Sequence, residues 1–97
     1  MQVKAQVVGE RREEFDGRQG EGVNHVLLCV DCDIRTPLMN LFEYVMTGEE
    51  AAEYFGRLRE KIVMLGISEL KPIFGGQFRA KGDLIVVSPL RPPDVKR

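Results

Sequence analysis

The chain has 97 residues, 43% hydrophobic and 30% charged, a composition typical of one ordinary globular domain and not of a disordered chain. Fourteen basic residues against fifteen acidic ones leave a formal net charge of −1, which excludes a uniformly basic nucleic-acid binder. No apolar run approaches the roughly 20 residues of a membrane span, and we expect no signal peptide. Two cysteines are too few for a disulfide scaffold, so we expect a cytoplasmic protein without a membrane partner.

The N-terminal third predicts two strands. Residues 2–7 alternate polar and apolar side chains, the period of a half-buried strand, which we expect to continue past Gly9. Residues 16–22 contain three glycines and predict a flexible loop. Residues 23–31 predict a second, central strand, because both of its faces carry apolar side chains.

A third strand and a helix follow in the middle of the chain. The alternation over residues 38–46 predicts the strand, and Thr47 and Glu50 form the capping box that starts a helix. Gly66 stands where a glycine commonly ends one. We therefore predict a helix over 48–65. Its apolar stripe recurs at three- and four-residue spacing: Ala51, Phe55, Leu58, Ile62 and Leu65.

The last part of the chain predicts a β-hairpin. Two extended runs, 67–74 and 77–87, flank the pair Gly75-Gly76, a composition typical of a tight hairpin turn. Residues 81–83, with a glycine in the middle of the second run, indicate a bulge or a second bend.

The resulting order, β-β-β-α-β-β, predicts a mainly β (α+β) domain over 1–88, with a flexible C-terminal tail at 89–97. Five strands with one helix between the third and the fourth is the order of the OB fold, a five-stranded Greek-key barrel. The alternative is an α+β sandwich in which the helix covers an open sheet. Element order alone does not separate the two.

Four short motifs carry a resemblance to a known family: 17–20 (GRQG), 27–31 (LLCVD), 76–78 (GQF) and 84–89 (LIVVSP). Together they resemble the single-stranded-DNA-binding, helix-destabilising proteins of filamentous phages, in the same order and over most of the chain. The resemblance implies an OB-like barrel, homodimerisation, and cooperative, sequence-tolerant binding of single strands in DNA replication.

A protein that binds single strands needs cations for the phosphates and flat side chains for base stacking. In an OB barrel the groove crosses strands 2 and 3, between the loops that join strands 1 and 2 and strands 4 and 5. Acidic residues concentrate on the predicted helix, which we expect on the other side of the barrel. The basic and aromatic candidates for nucleic-acid binding are Arg11, Arg12, Phe15 and Arg18 near the first loop, and Lys71, Phe74, Phe78, Arg79 and Lys81 in the last hairpin.

Metal binding and catalysis find little support in the sequence. Cys29 and Cys32 form a C-x-x-C with His25 upstream, but the chain has no further Cys or His to complete a zinc site, and we expect no cofactor. The two serines lack the context of a nucleophile, so we expect neither an enzyme nor a small-molecule substrate. The leading hypothesis is single-stranded DNA binding, DNA being favoured over RNA. The alternatives are an RNA-binding subunit and an OB-type protein-interaction module.

Overall fold

Five strands close a barrel in the order β1-β2-β3-β5-β4, and β4 returns to pair with β1. Neighbouring strands are antiparallel except β3 and β5, which are parallel. The mainly β, five-stranded barrel and its element order are thereby confirmed, and the open-sheet alternative is excluded. The computed structural model describes residues 1–17, 20–32, 41–73 and 75–87, of which 15–17 and 20–21 by backbone alone. The elements are β1 (Gln2–Gly17), β2 (Gly20–Asp31), β3 (Leu41–Val45), α1 (Gly48–Tyr54), β4 (Ile62–Ile73) and β5 (Gln77–Val86).

The core fills the barrel and follows the period-two alternation of the strands. Val3, Ala5 and Val7 point inward from β1, and a bulge between Val7 and Gly9 then shifts the inward position by one residue. Leu27 faces this core from β2. The other fully buried core residues are Cys29, Phe42, Tyr44, Leu58, Val63, Leu65 and Ala80.

The predicted helix over 48–65 is wrong in length. The capping box of Thr47 and Glu50 is present, with Thr47 accepting a hydrogen bond from the Glu50 N–H, but α1 ends at Tyr54. Phe55 is extended, and two positive φ angles follow, 89° at Gly56 and 66° at Glu60. The chain therefore turns after two helical turns and enters β4 at Ile62.

Two overlapping periodicities explain the error. Leu58 is buried and Phe55 packs against the core, so the first part of the apolar stripe does lie on the barrel end. From Ile62 onward the buried residues instead alternate with a period of two, as in Val63 and Leu65. Gly66, expected to end the helix, lies within β4. Over a short window the same apolar positions can fit both the helical period of 3.6 and the strand period of two. Here the pairing of β4 with β1 and β5 selects the strand.

The predicted loop at 16–22 is also wrong for most of its length. The ladder between β1 and β2 continues to Gly17 and resumes at Gly20, pairing Phe15 with Gly22. Glycine permits a loop without enforcing one, because it also adopts extended backbone angles. The predicted first residues of the third strand, 38–40, and the predicted tail, 89–97, lie outside the described residues.

The second hairpin follows the prediction closely. Gly75 and Gly76 both have positive φ, 86° and 78°, which glycine adopts without steric cost, and the chain reverses between the paired residues Ile73 and Gln77. The register shifts between Ile67 and Glu69, opposite the predicted irregularity around Gly82. A Cβ at Gly82 would overlap the carbonyl oxygen of Gly66 on β4, so only glycine fits there.

Glu50 joins α1 to the barrel. Its carboxylate accepts hydrogen bonds from the Thr47 N–H at 3.1 Å, the Tyr44 hydroxyl at 2.9 Å and the Leu84 N–H at 2.9 Å. β5 pairs with β3 at only two positions, so the Leu84 N–H lies beyond the reach of β3. Glu50 satisfies that donor and thereby closes the gap between the two parallel strands.

Each long hairpin ends in an arm that starts in the barrel wall, where Arg79 and Ala80 still pair with β3, and extends beyond it. The first arm comprises residues 10–17 of β1 and 20–24 of β2, and the second comprises residues 69–73 of β4 and 77–81 of β5. Residues of the arms point alternately to the inner and outer faces of the sheet. Over the described residues, no helix is long and apolar enough to cross a membrane.

Candidate nucleic-acid interface

An open groove of about 160 Å³ lies on the outer face of the barrel, between the two arms. We call it the outer groove. It crosses β2 and β3 and is bounded by the second arm, which is the place where OB barrels hold oligonucleotides. Its lining residues are Asn24, Val45, Glu69, Lys71, Ile73, Arg79 and Lys81.

Strand register places the cations of the second arm together. Arg79 and Lys81 are two residues apart on β5 and therefore share its outer face, where Lys71 of β4 lies directly opposite Arg79. Glu69 lies opposite Lys81 on the same face. Lys71 and Lys81 are exposed, and neither ammonium makes an ion pair with another described residue. These two lysines are the cations available to a ligand in the outer groove.

Arg79 is held by two carboxylates. Its Nη1 and Nη2 donate to Oε1 and Oε2 of Glu13 at 3.0 and 2.9 Å, a bidentate pair, and its Nε donates to Glu43 Oε1 at 2.9 Å. The guanidinium side chain is 25% exposed, and that of Glu43 is 10% exposed. The pair between Glu13 and Arg79 ties the first arm to the second.

Arg11 completes a four-charge network of Arg11, Glu13, Glu43 and Arg79. Its Nη2 donates to Glu43 Oε2 at 3.1 Å and to Glu13 Oε2 at 3.2 Å. Each carboxylate therefore bridges both guanidinium groups. The network carries two positive and two negative charges, so its net charge is zero.

The contacts within the four-charge network shift the pKa values of its members and keep Glu13 ionised. The hydrogen bond from Arg79 is the largest cause that lowers the pKa of Glu13 to about 2. Burial opposes it as the second-largest effect, and the hydrogen bonds from Asn24 and Arg11 lower the pKa further. Hydrogen bonds to the carboxylates raise the pKa of Arg11, chiefly through Glu43, and that of Arg79, chiefly through Glu13. Glu13 is consequently ionised at neutral pH.

The structure brings together four of the nine predicted binding residues. Lys71, Arg79 and Lys81 line the outer groove, and Arg11 lies in the network beside it. Arg11 and Arg79 are charge-compensated, a property that their residue type does not reveal. The expected segregation of charge is therefore weaker than the sequence indicated, because two carboxylates lie among the basic residues.

The other predicted residues lie elsewhere or outside the description. Arg12 is exposed and pairs with His25, on the face of the first arm opposite to the network. Phe78 lies on the inner face of β5 and packs against the barrel core. The side chain of Phe15, and the whole of Arg18 and Phe74, lie outside the described residues.

Several residues of this surface were not among the predicted set. Asn24 and Val45 line the outer groove, as does Ile73 of the second arm. Glu43 carries the clearest sequence signal, because a carboxylate between Phe42 and Tyr44 has to face outward when both aromatics face the core. Glu13 offers no comparable signal, since it belongs to a run of alternating charges.

The cysteines and the histidine do not form a site. Cys29 is buried in the core, which raises the pKa of its thiol to about 12, and Cys32 is exposed. The His25 ring packs edge-on against Phe55 at 4.6 Å between centroids. Among the described residues, no group of three or more His, Cys, Asp or Glu is placed to hold a metal ion.

No protein-family model matches the chain, and a search of curated proteins finds no significant relative. The resemblance to the phage proteins thus remains a prediction.

Proposed function

We propose that the protein binds single-stranded nucleic acid in the outer groove, DNA in preference to RNA, largely independently of sequence. The observation that supports this most is the position of Lys71 and Lys81. Neither ammonium makes an ion pair with another described residue, and both lysines line the groove with the half-buried side chain of Ile73, so that one surface offers cations for phosphates and carbon for sugars and bases. The proposed role is binding, with no chemical step.

The charges that line the outer groove predict a binding affinity that depends only modestly on salt concentration. Lys71 and Lys81 contribute two positive charges, Glu69 removes one, and the four-charge network adds none. The slope counts phosphate contacts and not net charge, so one phosphate at each lysine corresponds to a slope of log K against log salt of about −1.4 for a single strand. The network holds the two arms at a fixed distance in this proposal.

Anisotropy of a labelled oligo-dT, titrated with protein at low salt, tests the proposal. We expect binding that weakens in Lys71→Ala and Lys81→Ala. Arg59→Ala is the control matched in charge, because Arg59 is an exposed cation between α1 and β4 and does not line the outer groove. Absence of binding at low salt, or an equal loss in Arg59→Ala, contradicts the proposal. A parallel titration with oligo-rU tests the preference for DNA.

We also propose that a second copy of the chain covers an apolar part of the outer face. β4 and β5 carry apolar residues on both faces at this end of the barrel, where an exposed antiparallel strand ordinarily carries polar ones outside. Ile85 is 59% exposed and Val87 54% exposed, and they pair with Met64 and Ile62. Contiguous exposed apolar side chains of this kind mark interaction surfaces.

Charge around this apolar face suits a two-fold dimer. By strand register, Lys4 lies beside Met64 at one edge, and Asp83 lies diagonally across from it. A two-fold rotation about an axis in the plane of the face sets Lys4 of one copy against Asp83 of the other. Sedimentation velocity tests the arrangement: we expect a dimer that becomes a monomer in Ile85→Glu.

Val23→Glu on the first arm is the control for that experiment, because Val23 is likewise an exposed strand residue. A monomeric wild-type protein, or equal dissociation by both substitutions, contradicts the dimer.

The same apolar face favours the second candidate function, a protein-interaction module. That candidate predicts a protein that is indifferent to oligonucleotides but loses a polypeptide partner on Ile85→Glu. Two free cysteines remain compatible with the expected cytoplasmic location.

A further inference from the structure

The four-charge network fixes the orientation of one amide at the edge of the outer groove. Asn24 Nδ2 donates to Glu13 Oε1 at 3.3 Å, and the same oxygen accepts from Arg79 Nη1 at 3.0 Å. An ionised carboxylate only accepts hydrogen bonds, so the nitrogen of the amide, and not its oxygen, has to face Glu13. The alternative, flipped amide would set two acceptors against each other.

One edge of this amide stays available. With one N–H used by Glu13, Asn24 retains its Oδ1 and its second N–H, and among the described residues neither makes a further hydrogen bond. The residue is half-buried and lines the outer groove together with Val45 and Lys81. The acceptor and the second donor of one fixed amide therefore lie at a surface that already offers cations and apolar contact.

Such a pair suits the edge of any unpaired base. Each of the four bases carries an adjacent donor and acceptor on its Watson–Crick edge, the edge that proteins read in single strands. An amide matches all of them, because it accepts with its oxygen and donates with its nitrogen. Recognition by an amide is thus tolerant of sequence and yet requires a base to be present.

We propose that Asn24 hydrogen-bonds the edge of a base seated in the outer groove, while Lys71 and Lys81 hold the neighbouring phosphates. Glu13 and Arg79 act as positioning residues that fix the amide. This inference rests on the proposed function, and it assigns to the charge-compensated arginines a role other than phosphate contact.

The test compares a strand that has bases with one that has none. Anisotropy measures the affinity of the wild-type protein and of Asn24→Ala for oligo-dT and for an abasic deoxyribose-phosphate strand of equal length. We expect Asn24→Ala to bind oligo-dT about fivefold more weakly, or about 1 kcal/mol, the size of a net hydrogen bond, and the abasic strand less than twofold more weakly. Gln6→Ala, which removes an exposed strand amide away from the groove, should change neither.

The variant Glu13→Gln tests whether Glu13 acts by positioning the Asn24 amide and not by contacting the nucleic acid. Its amide can meet Asn24 with either atom, while the loss of one negative charge strengthens phosphate contact on both strands alike, so we expect the ratio of the oligo-dT affinity to the abasic affinity to fall about twofold to threefold. An equal loss on both strands in Asn24→Ala, or no loss on oligo-dT, overturns the inference while leaving the proposed function standing. A wild-type protein that binds neither strand overturns both.

Discussion

Replacing Glu13 by glutamine should destabilise the fold at neutral pH but not in acid. The carboxylate bridges both arginines of the network, and its pKa falls from an ordinary 4.5 to about 2. A shift of that size corresponds to about 3 kcal/mol at full strength. Because the side chain is 31% exposed, solvent screening reduces the contribution to roughly 1–2 kcal/mol.

The pH dependence has a definite direction. A carboxylate whose pKa is lowered on folding contributes its stability above the pKa of the unfolded chain, and this contribution is lost as the pH falls through the folded value. Wild type should therefore exceed Glu13→Gln in free energy of unfolding by roughly 1–2 kcal/mol from pH 7 down to about 5. The difference should shrink towards zero between about pH 5 and pH 2.

Urea unfolding at pH 7, 5, 4 and 3, followed by far-UV circular dichroism, measures this difference directly, because the other carboxylates are common to both proteins. Glu14→Gln is the control, since Glu14 is an exposed neighbour outside the network, and its substitution should cost less than about 0.5 kcal/mol. A difference between wild type and Glu13→Gln that is the same at every pH, or absent at pH 7, refutes the account of the network.

Three further outcomes follow from the fold. Gly82→Ala should lower the free energy of unfolding by more than about 2 kcal/mol, measured by urea titration, because a Cβ there collides with the β4 backbone. Glu50→Ala should lower it by about 2–3 kcal/mol, since the Thr47 and Leu84 N–H groups lose their acceptor and the Tyr44 hydroxyl keeps only the Gly82 carbonyl, whereas Glu49→Ala on the same helical turn should have little effect. In native protein at pH 8, iodoacetamide should label Cys32 rapidly and Cys29 only after unfolding, as mass spectrometry of the peptides will show.

Most elements of the barrel could be predicted because their determinants are local, whereas its closure depends on the non-local pairing of β4 with β1. Period-two alternation in β1 and β2, the capping box at Thr47 and the glycine pair before β5 each specify an element within a few residues. The extent of the helix could not be predicted in the same way. Leu58 to Leu65 fits both periods, and only the pairing of β4 with β1 and β5, which is non-local, selects the strand.

The residues of the candidate site were likewise only partly predictable from local sequence. Lys71 and Lys81 were accessible to prediction from residue type and from their place in the last hairpin. The compensation of Arg79 was not, because its partners Glu13 and Glu43 lie 66 and 36 positions away along the chain. Asn24 escaped prediction for a related reason, since its amide gains significance only from the carboxylate that the barrel closure brings beside it.

Binding of oligo-dT across a salt series, by wild type and by the double variant Lys71→Ala/Lys81→Ala, tests the central claim most directly. We predict a slope of log K against log salt of about −1.4 for wild type, because two lysines neutralise about two phosphates, and a slope near zero for the double variant. No binding by wild type at low salt, or an unchanged slope in the double variant, would contradict the assignment of the outer groove to single-stranded nucleic acid.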